Sequence, residues 1–327
     1  MLRLSWRRFE MQLSIVTTLY KSSAFIREFH SRITEVASSL FQEFEVVFVD
    51  DGSPDDSLLV AKEIQLHDSR VRIIELSRNF GHHQAIWTGL QHAQGKLIFL
   101  IDSDLEEAPE LLRDFFQELS NKQADVVYGV AKQRNGSFFK NWGGMLFYKI
   151  FNVLADIKIP QNLLTIRLMT RPYLNALLSH QENSFAISGL WARTGFKQNA
   201  YLMEKGARDL PSYSFFKRLK MVVNTITAFS SKPLIMGFYF GVIFLLLSII
   251  GVCKMVVDRL FYSSPPEGWT FLAVSVWGIG GLVLFCQGVQ GIYLAKIFME
   301  TKRRPIAFIR KIHGIDARSD RDVQNVA

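Results

Sequence analysis

Asp102, Asp104, Glu106 and Glu107 crowd into the stretch LIFLIDSDLEEAPE, directly after a run of apolar residues. A buried strand that ends in mutually repelling carboxylates needs a counter-charge. Asp102 and Asp104 are two residues apart, so both face one side of a continuing strand, or one cavity if the chain turns. Hard oxygen ligands of this kind suit Mg²⁺ or Mn²⁺, which bind carboxylates together with substrate phosphates and water. Glu106 can add a third oxygen. A solvated acidic turn is the plain alternative for any single pair. Asp50 and Asp51, in VFVDDGSPDDS, also close an apolar run, and Gly52 permits a tight turn that leaves their side chains to accept hydrogen bonds. Alone, that motif is as often an ordinary turn; two acidic strand ends in one domain point to a site.

The elements that must position these acids are short and regularly spaced. Strands are expected at Leu13–Thr18, Glu45–Val49, Val71–Glu75, Leu97–Ile101 and Asp125–Tyr128, all rich in Val, Ile, Leu or Phe. Helices are expected near Ala24–Leu40, Leu58–His67, His83–Ala93 and Pro109–Asn121. That alternation predicts an α/β domain with an open, mostly parallel sheet and its ligands at the carboxyl ends of the strands. The polar clusters VDDGSPDDS, SRNFGHH and DSDLEE all fall there.

The 327-residue chain is 49% hydrophobic, with a mean hydropathy of +0.12. Residues 234–253 and 269–295 carry no charged side chain, and each is long enough to cross a hydrocarbon core of ~30 Å as a helix. Basic residues flank the pair, while the loop 254–268 balances Lys254 and Arg259 against Asp258 and Glu267. The positive-inside rule then places both termini in the cytosol. The net charge of +8 reads as attraction to anionic membrane lipid; no nucleic-acid recognition module is visible. Cys253 and Cys286 lie in the expected spans, which argues against a disulfide framework or a zinc site. In SFFKRLKMVVNTITAF, Phe215, Leu219, Val222, Ile226 and Phe229 recur at helical spacing among cations, the pattern of an interfacial amphipathic helix. An ordinary helix packed on the domain is the alternative. The start, MLRLSWRRFEMQLSIVTTLY, mimics a signal peptide, but its apolar part is short and reads better as a first strand. The expected organisation is a basic extension (1–11), a catalytic domain (12–213), the interfacial helix (214–232), a transmembrane hairpin (233–296) and a basic cytosolic tail (297–327).

SIVTTLY, VFVDDGSPDDS, SRNFGHHQAIWTGLQHAQGKLIFLIDSDLEEAPE, DVVYG and YLAKIFMETKRRP together resemble family-2 glycosyltransferases of the polyprenyl-phosphate type, over about residues 12 to 310. Dolichol-phosphate mannose synthases and bacterial undecaprenyl-phosphate glucosyltransferases belong there, and the paired apolar stretches look most like the bacterial branch. The resemblance implies a GT-A (Rossmann-like) catalytic domain and a multi-pass protein of the bacterial inner membrane. The substrates it implies are a nucleotide-sugar donor, with UDP favoured, and undecaprenyl phosphate, for cell-envelope glycans such as O-antigen. It also implies a homo-oligomer, since the bacterial members build tetramers.

Residue by residue, Thr18, Tyr20, Asp50 and Asp51 match positions that hold the nucleotide, with Arg78 beside them. Asp102 and Asp104 match the DxD pair that holds metal and diphosphate. Arg134, after the YG strand end, with Arg167 in IRLMTR and Arg208, is expected at the acceptor phosphate or sugar. The chain departs from the pattern at Glu106 (usually Gln), Ala131 (usually Arg), Thr165 (usually Asp), the QNLL turn and Ser212 (usually Lys). These changes imply an altered donor choice rather than lost activity.

A lipid monophosphate acceptor needs no general base, because its second pKa of about 6 leaves it mostly a dianion at pH 7. Displacement opposite the leaving group would invert the anomeric centre. A hydroxyl acceptor would instead need a base, for which Glu182 is a candidate. A processive polysaccharide synthase lacks a QxxRW-type segment here, and a non-catalytic scaffold is opposed by Asp102 and Asp104.

Overall fold

The computed structural model describes residues 11–132, 162–180, 187–203, 227, 230–261 and 268–314. The chain divides into two compact units, one of residues 1–135, 159–211 and 304–327 and one of residues 136–158 and 212–303.

In the first unit the chain alternates β1 (Leu13–Leu19), α1 (Ile26–Leu40), β2 (Phe44–Asp50), α2 (Ser57–His67), β3 (Val71–Leu76), α3 (His82–His92), β4 (Leu97–Leu100), α4 (Leu111–Lys122) and β5 (Val126–Ala131). β6 (Leu163–Thr170), α5 (Arg171–Leu178), α6 (Ile187–Arg193) and β7 (Gln198–Met203) follow. The central strands are buried on both faces, which is why they read as continuous apolar runs rather than alternating ones. On α1, Ile26, Phe29, Ile33, Val36 and Ala37 recur at three- and four-residue spacing and bury one stripe against the sheet core around Phe48, Phe99 and Phe115.

The described strands form one eight-stranded sheet in the order β7-β5-β6-β4-β1-β2-β3-β8. β3-β2-β1-β4 is parallel throughout, and β6 enters antiparallel between β4 and β5. Because β2 lies on one side of β1 and β4 on the other, the order reverses at the β1–β4 pair. In an open α/β sheet the crevice outside the carboxyl ends at such a reversal is where ligands bind.

β8 (Ile309–His313) was not foreseen. Within the expected basic tail (297–327) it forms an edge strand, antiparallel to β3, with Ile73 opposite His313 and Ile74 opposite Ile312.

In the second unit, α7 (Lys232–Phe261) and α8 (Gly268–Thr301) contain both expected spans and run past them. Each is long and apolar enough to cross a membrane. Leu246, Ile250, Leu284 and Leu294 are all more than half exposed, as side chains meant for lipid would be. Tyr293 donates its hydroxyl to the Ser230 carbonyl at 2.6 Å. Of the expected interfacial helix only Thr227 and residues 230–232 lie within the described residues.

Candidate active site

The acids gather where the strand order reverses. β1 delivers Thr18 and Tyr20, β2 delivers Asp50 and Asp51, β4 delivers Asp102 and Asp104, and the turn after β3 delivers residues 77–82. The parallel register sets Leu19 beside Asp50, and the Asp51 N–H continues the ladder to the Leu19 carbonyl at 3.1 Å. On the other side of β1 the Ile101 N–H donates to the Val16 carbonyl at 3.2 Å, which brings Asp102 level with the end of β1.

Asp51 is 2% exposed and is held by the turn that follows β3. The Phe80 N–H donates to its Oδ1 at 2.7 Å and the Gly81 N–H to its Oδ2 at 3.0 Å. Burial pushes this carboxyl above the usual carboxylate range while the two N–H groups pull it back. Gly52 makes the approach possible: its φ is +60°, and a Cβ there would lie 2.6 Å from Arg78 C and Asn79 N. Asp50, equally buried, is pushed up to about 6 by burial, opposed by the Ser53 N–H and reinforced by Glu75 on the adjacent strand. The second half of the same motif is structural. Burial would raise Asp55, but donors from Ser53, Ser57 and Ser23 outweigh it and hold that carboxyl well below its usual range.

His82 is the functional candidate that the sequence reading missed. Its Nδ1 lies 3.2 Å from Thr18 Oγ1 and its Nε2 lies 3.6 Å from Asp102 Oδ1, so one imidazole spans the gap between β1 and β4. SRNFGHH was visible as a polar strand end, but nothing in the string separates His82 from His83. Ser103, buried between the two aspartates, donates to the Thr18 carbonyl at 3.0 Å and ties the turn to β1.

Asp104 Oδ1 accepts the Glu106 N–H at 3.1 Å, an Asx turn that bends the chain away from β4. Among the described residues no three His, Cys, Asp or Glu side chains converge as a metal-binding group, so Glu106 does not join Asp102 and Asp104 in one. Tyr20 is 47% exposed, with Lys21 Nζ over its ring at 5.8 Å from the centroid. The Arg78 guanidinium lies over the Phe80 ring and donates to the Asn79 carbonyl at 3.3 Å. Arg167 is 1% exposed; it stands opposite Leu100 and Tyr128 in the sheet, donates to the Thr165 and Leu164 carbonyls at 3.1 and 3.3 Å, and lies over Trp191. Burial pushes its guanidinium down to about 9. Arg134, Arg208, Glu182 and Ser212 lie outside the described residues.

The family model for glycosyl transferase family 2 matches residues 14–180, half of the chain. A protein of Mycobacterium tuberculosis described as "putative glycosyltransferases" is 43% identical over 94% of this chain and 90% of its own length. The prophage-derived bactoprenol glucosyl transferase of Shigella flexneri is 28% identical over 93% of this chain and 99% of its own. Among solved structures, mannosyl-3-phosphoglycerate synthase from Rubrobacter xylanophilus aligns over 79% of this chain and 78% of its own, at 13% identity and a TM-score of 0.44. The chain belongs to glycosyl transferase family 2, and it is a glycosyltransferase with a GT-A catalytic domain.

Proposed function

We propose that the protein transfers a sugar from a UDP-hexose to a polyprenyl phosphate at the cytosolic face of the bacterial inner membrane, with inversion at the anomeric carbon. The observation that carries this reading is the extent of the likeness to the bactoprenol glucosyl transferase. It spans 99% of that protein, and so takes in the two long apolar helices as well as the sheet.

In this reading the nucleotide lies across the carboxyl ends of β1 and β2. Tyr20 offers its exposed ring to the base. Asp51 already accepts two N–H groups, but a carboxylate has about four lone-pair sites and retains capacity for base or ribose donors. Thr18 and His82 close the far side of the nucleotide. Asp102 and Asp104 fit a divalent cation, Mg²⁺ or Mn²⁺, by their chemistry: both are hard oxygen donors, half-buried at a strand end. Bound there, that ion would neutralise the charge that builds on the departing diphosphate.

On the acceptor side, Arg134 and Arg208 would pair with the lipid phosphate, while Arg167, buried in β6, would not reach it. The phosphate is its own nucleophile, so this chain's task is to hold two anions in line and exclude water. The interfacial helix 214–232 and the cations that flank the apolar helices would keep the site at headgroup depth, with both termini cytosolic and the protein a homo-oligomer.

The test is direct. Purified protein in lipid nanodiscs is given Mg²⁺ or Mn²⁺, undecaprenyl phosphate and UDP-glucose, UDP-galactose or UDP-N-acetylglucosamine, and the lipid product is read by mass spectrometry. A glycosyl phospholipid is expected with one donor. Transfer only to a lipid hydroxyl, or to no lipid at all, overturns the reading.

A further inference from the structure

The strand that closes the sheet also touches the loop that holds the site. Residues 77–82 leave β3, supply both N–H groups that fix Asp51, and present His82 to Thr18 and Asp102. Their start is pinned by β8. The Ser77 N–H donates to the Phe308 carbonyl at 2.8 Å, and Arg310 Nη2 donates to the Ser77 carbonyl at 2.9 Å. The Phe308 ring packs on Phe80 with centroids 6.1 Å apart, directly behind the residue whose N–H reaches Asp51.

Two further contacts lock β8 itself. Glu75, at the end of β3, is buried and receives Arg310 Nη1 at 3.4 Å and His313 Nε2 at 3.0 Å from β8. Gly314 then turns away at φ +86°, where a Cβ would sit 2.5 Å from the Val71 carbonyl. A side chain at residue 314 would therefore pry the strand from its partner.

We propose that β8, through Phe308 and Arg310, is a positioning element of the donor site: it sets the path of residues 77–82 and thereby the placement of Asp51 and His82. This rests on the reading that Asp51 and its neighbours hold the donor nucleotide. Phe308 and Arg310 touch neither nucleotide nor sugar. They act through a backbone that has no other antiparallel neighbour at this edge among the described strands. A loop anchored only by β3 would sample positions in which Phe80 N–H and Gly81 N–H miss Asp51, and a displacement of about 1 Å is enough to cost binding or rate steeply.

The experiment is nucleotide binding by the full-length protein in nanodiscs with MgCl₂, titrated calorimetrically with UDP and with GDP. The tighter of the two is carried through the variants. Phe308→Ala and Arg310→Ala are expected to weaken it about tenfold, and Phe308→Tyr, which keeps the ring against Phe80, to stay within about twofold of wild type. All three should keep the wild-type melting temperature to within a few degrees, so that lost affinity is not lost protein. Wild-type affinity in both alanine variants overturns the inference, as does a Phe308→Tyr protein as weak as Phe308→Ala. Asp51→Ala separates the two levels. If it abolishes binding while the β8 variants do not alter it, the donor reading stands and this inference falls. If wild type binds neither nucleotide, or Asp51→Ala binds as wild type does, the donor reading itself falls and takes the inference with it.

Discussion

At the amino end of the parallel strands, Glu45 is 2% exposed and fully engaged: Ser14 Oγ and Arg72 Nη1 each reach it at 2.6 Å, and the Gln94 N–H at 2.7 Å. Arg72 also donates to the His92 carbonyl at 3.1 Å, and the Gly95 N–H reaches Ser14 Oγ at 2.7 Å. At the carboxyl end Asp50 and Asp51 are as deeply buried, yet they take backbone N–H groups, which leave the negative charge standing. One sheet thus buries acids at both ends by different means. Where an arginine cancels the charge, the acid knits strands together. Where peptide dipoles merely hold it in place, no arginine among the described residues cancels the charge, as the proposed donor site requires.

Exchanging the consequences of the two ends would break this contrast. Asp104→Ala is expected to lower sugar transfer by on the order of 10²–10³-fold with little change in melting temperature, read by radiolabelled donor and calorimetry on the same sample. An Asp104→Ala protein that melts well below wild type and transfers normally per folded molecule would make the carboxyl end structural. Glu45→Ala should do the reverse. It leaves Arg72 buried without its carboxylate and should cost about 3–5 kcal/mol of stability, read by denaturant unfolding, while molecules that fold at low temperature retain their donor affinity.

His82→Ala sharpens the contrast at smaller scale. The imidazole bridges Thr18 and Asp102 but is itself half-exposed, so its removal should weaken nucleotide binding about tenfold and leave the fold intact. Unchanged binding would confine His82 to a packing role.

How far this was legible in the string depends on which forces wrote it. β1 to β5 are short apolar runs that end in polar clusters, because a parallel strand buried on both faces has no alternation to hide in and must release its ligands at the carboxyl end. The position of Asp51, Asp102 and Asp104 just past the carboxyl ends of β2 and β4 was therefore readable from spacing and type. β8 was not. IRKIH sets charged Arg310 and Lys311 among two isoleucines and a histidine, the composition of a solvated edge, and its partner lies far away in the chain at Ile73–Leu76. Edge strands are marked by charge in order not to look like strands. The Glu45–Arg72–Ser14 network escaped for the same reason: its members are distant in sequence, and each alone reads as an ordinary polar residue at the start of a strand.

The subtlest difference between the two ends lies in proton uptake. Asp50 titrates at about 6 in the folded chain, above the usual 3.8, because burial disfavours its charge and Glu75 adds to that. The sign follows: the folded state binds this proton more tightly than the unfolded state does. The resulting stabilisation is complete below about pH 4 and is lost as pH rises through 6. Asparagine keeps the oxygen that accepts the Ser53 N–H but carries no charge at any pH. Asp50→Asn should therefore melt on the order of a few degrees above wild type beyond pH 6, in EDTA and without nucleotide, with the gap closing toward pH 4. A gap that stayed constant over that range would mean that Asp50 is neutralised in the fold much as Glu45 is, and the distinction between the two ends would then rest on Asp51, Asp102 and Asp104 alone.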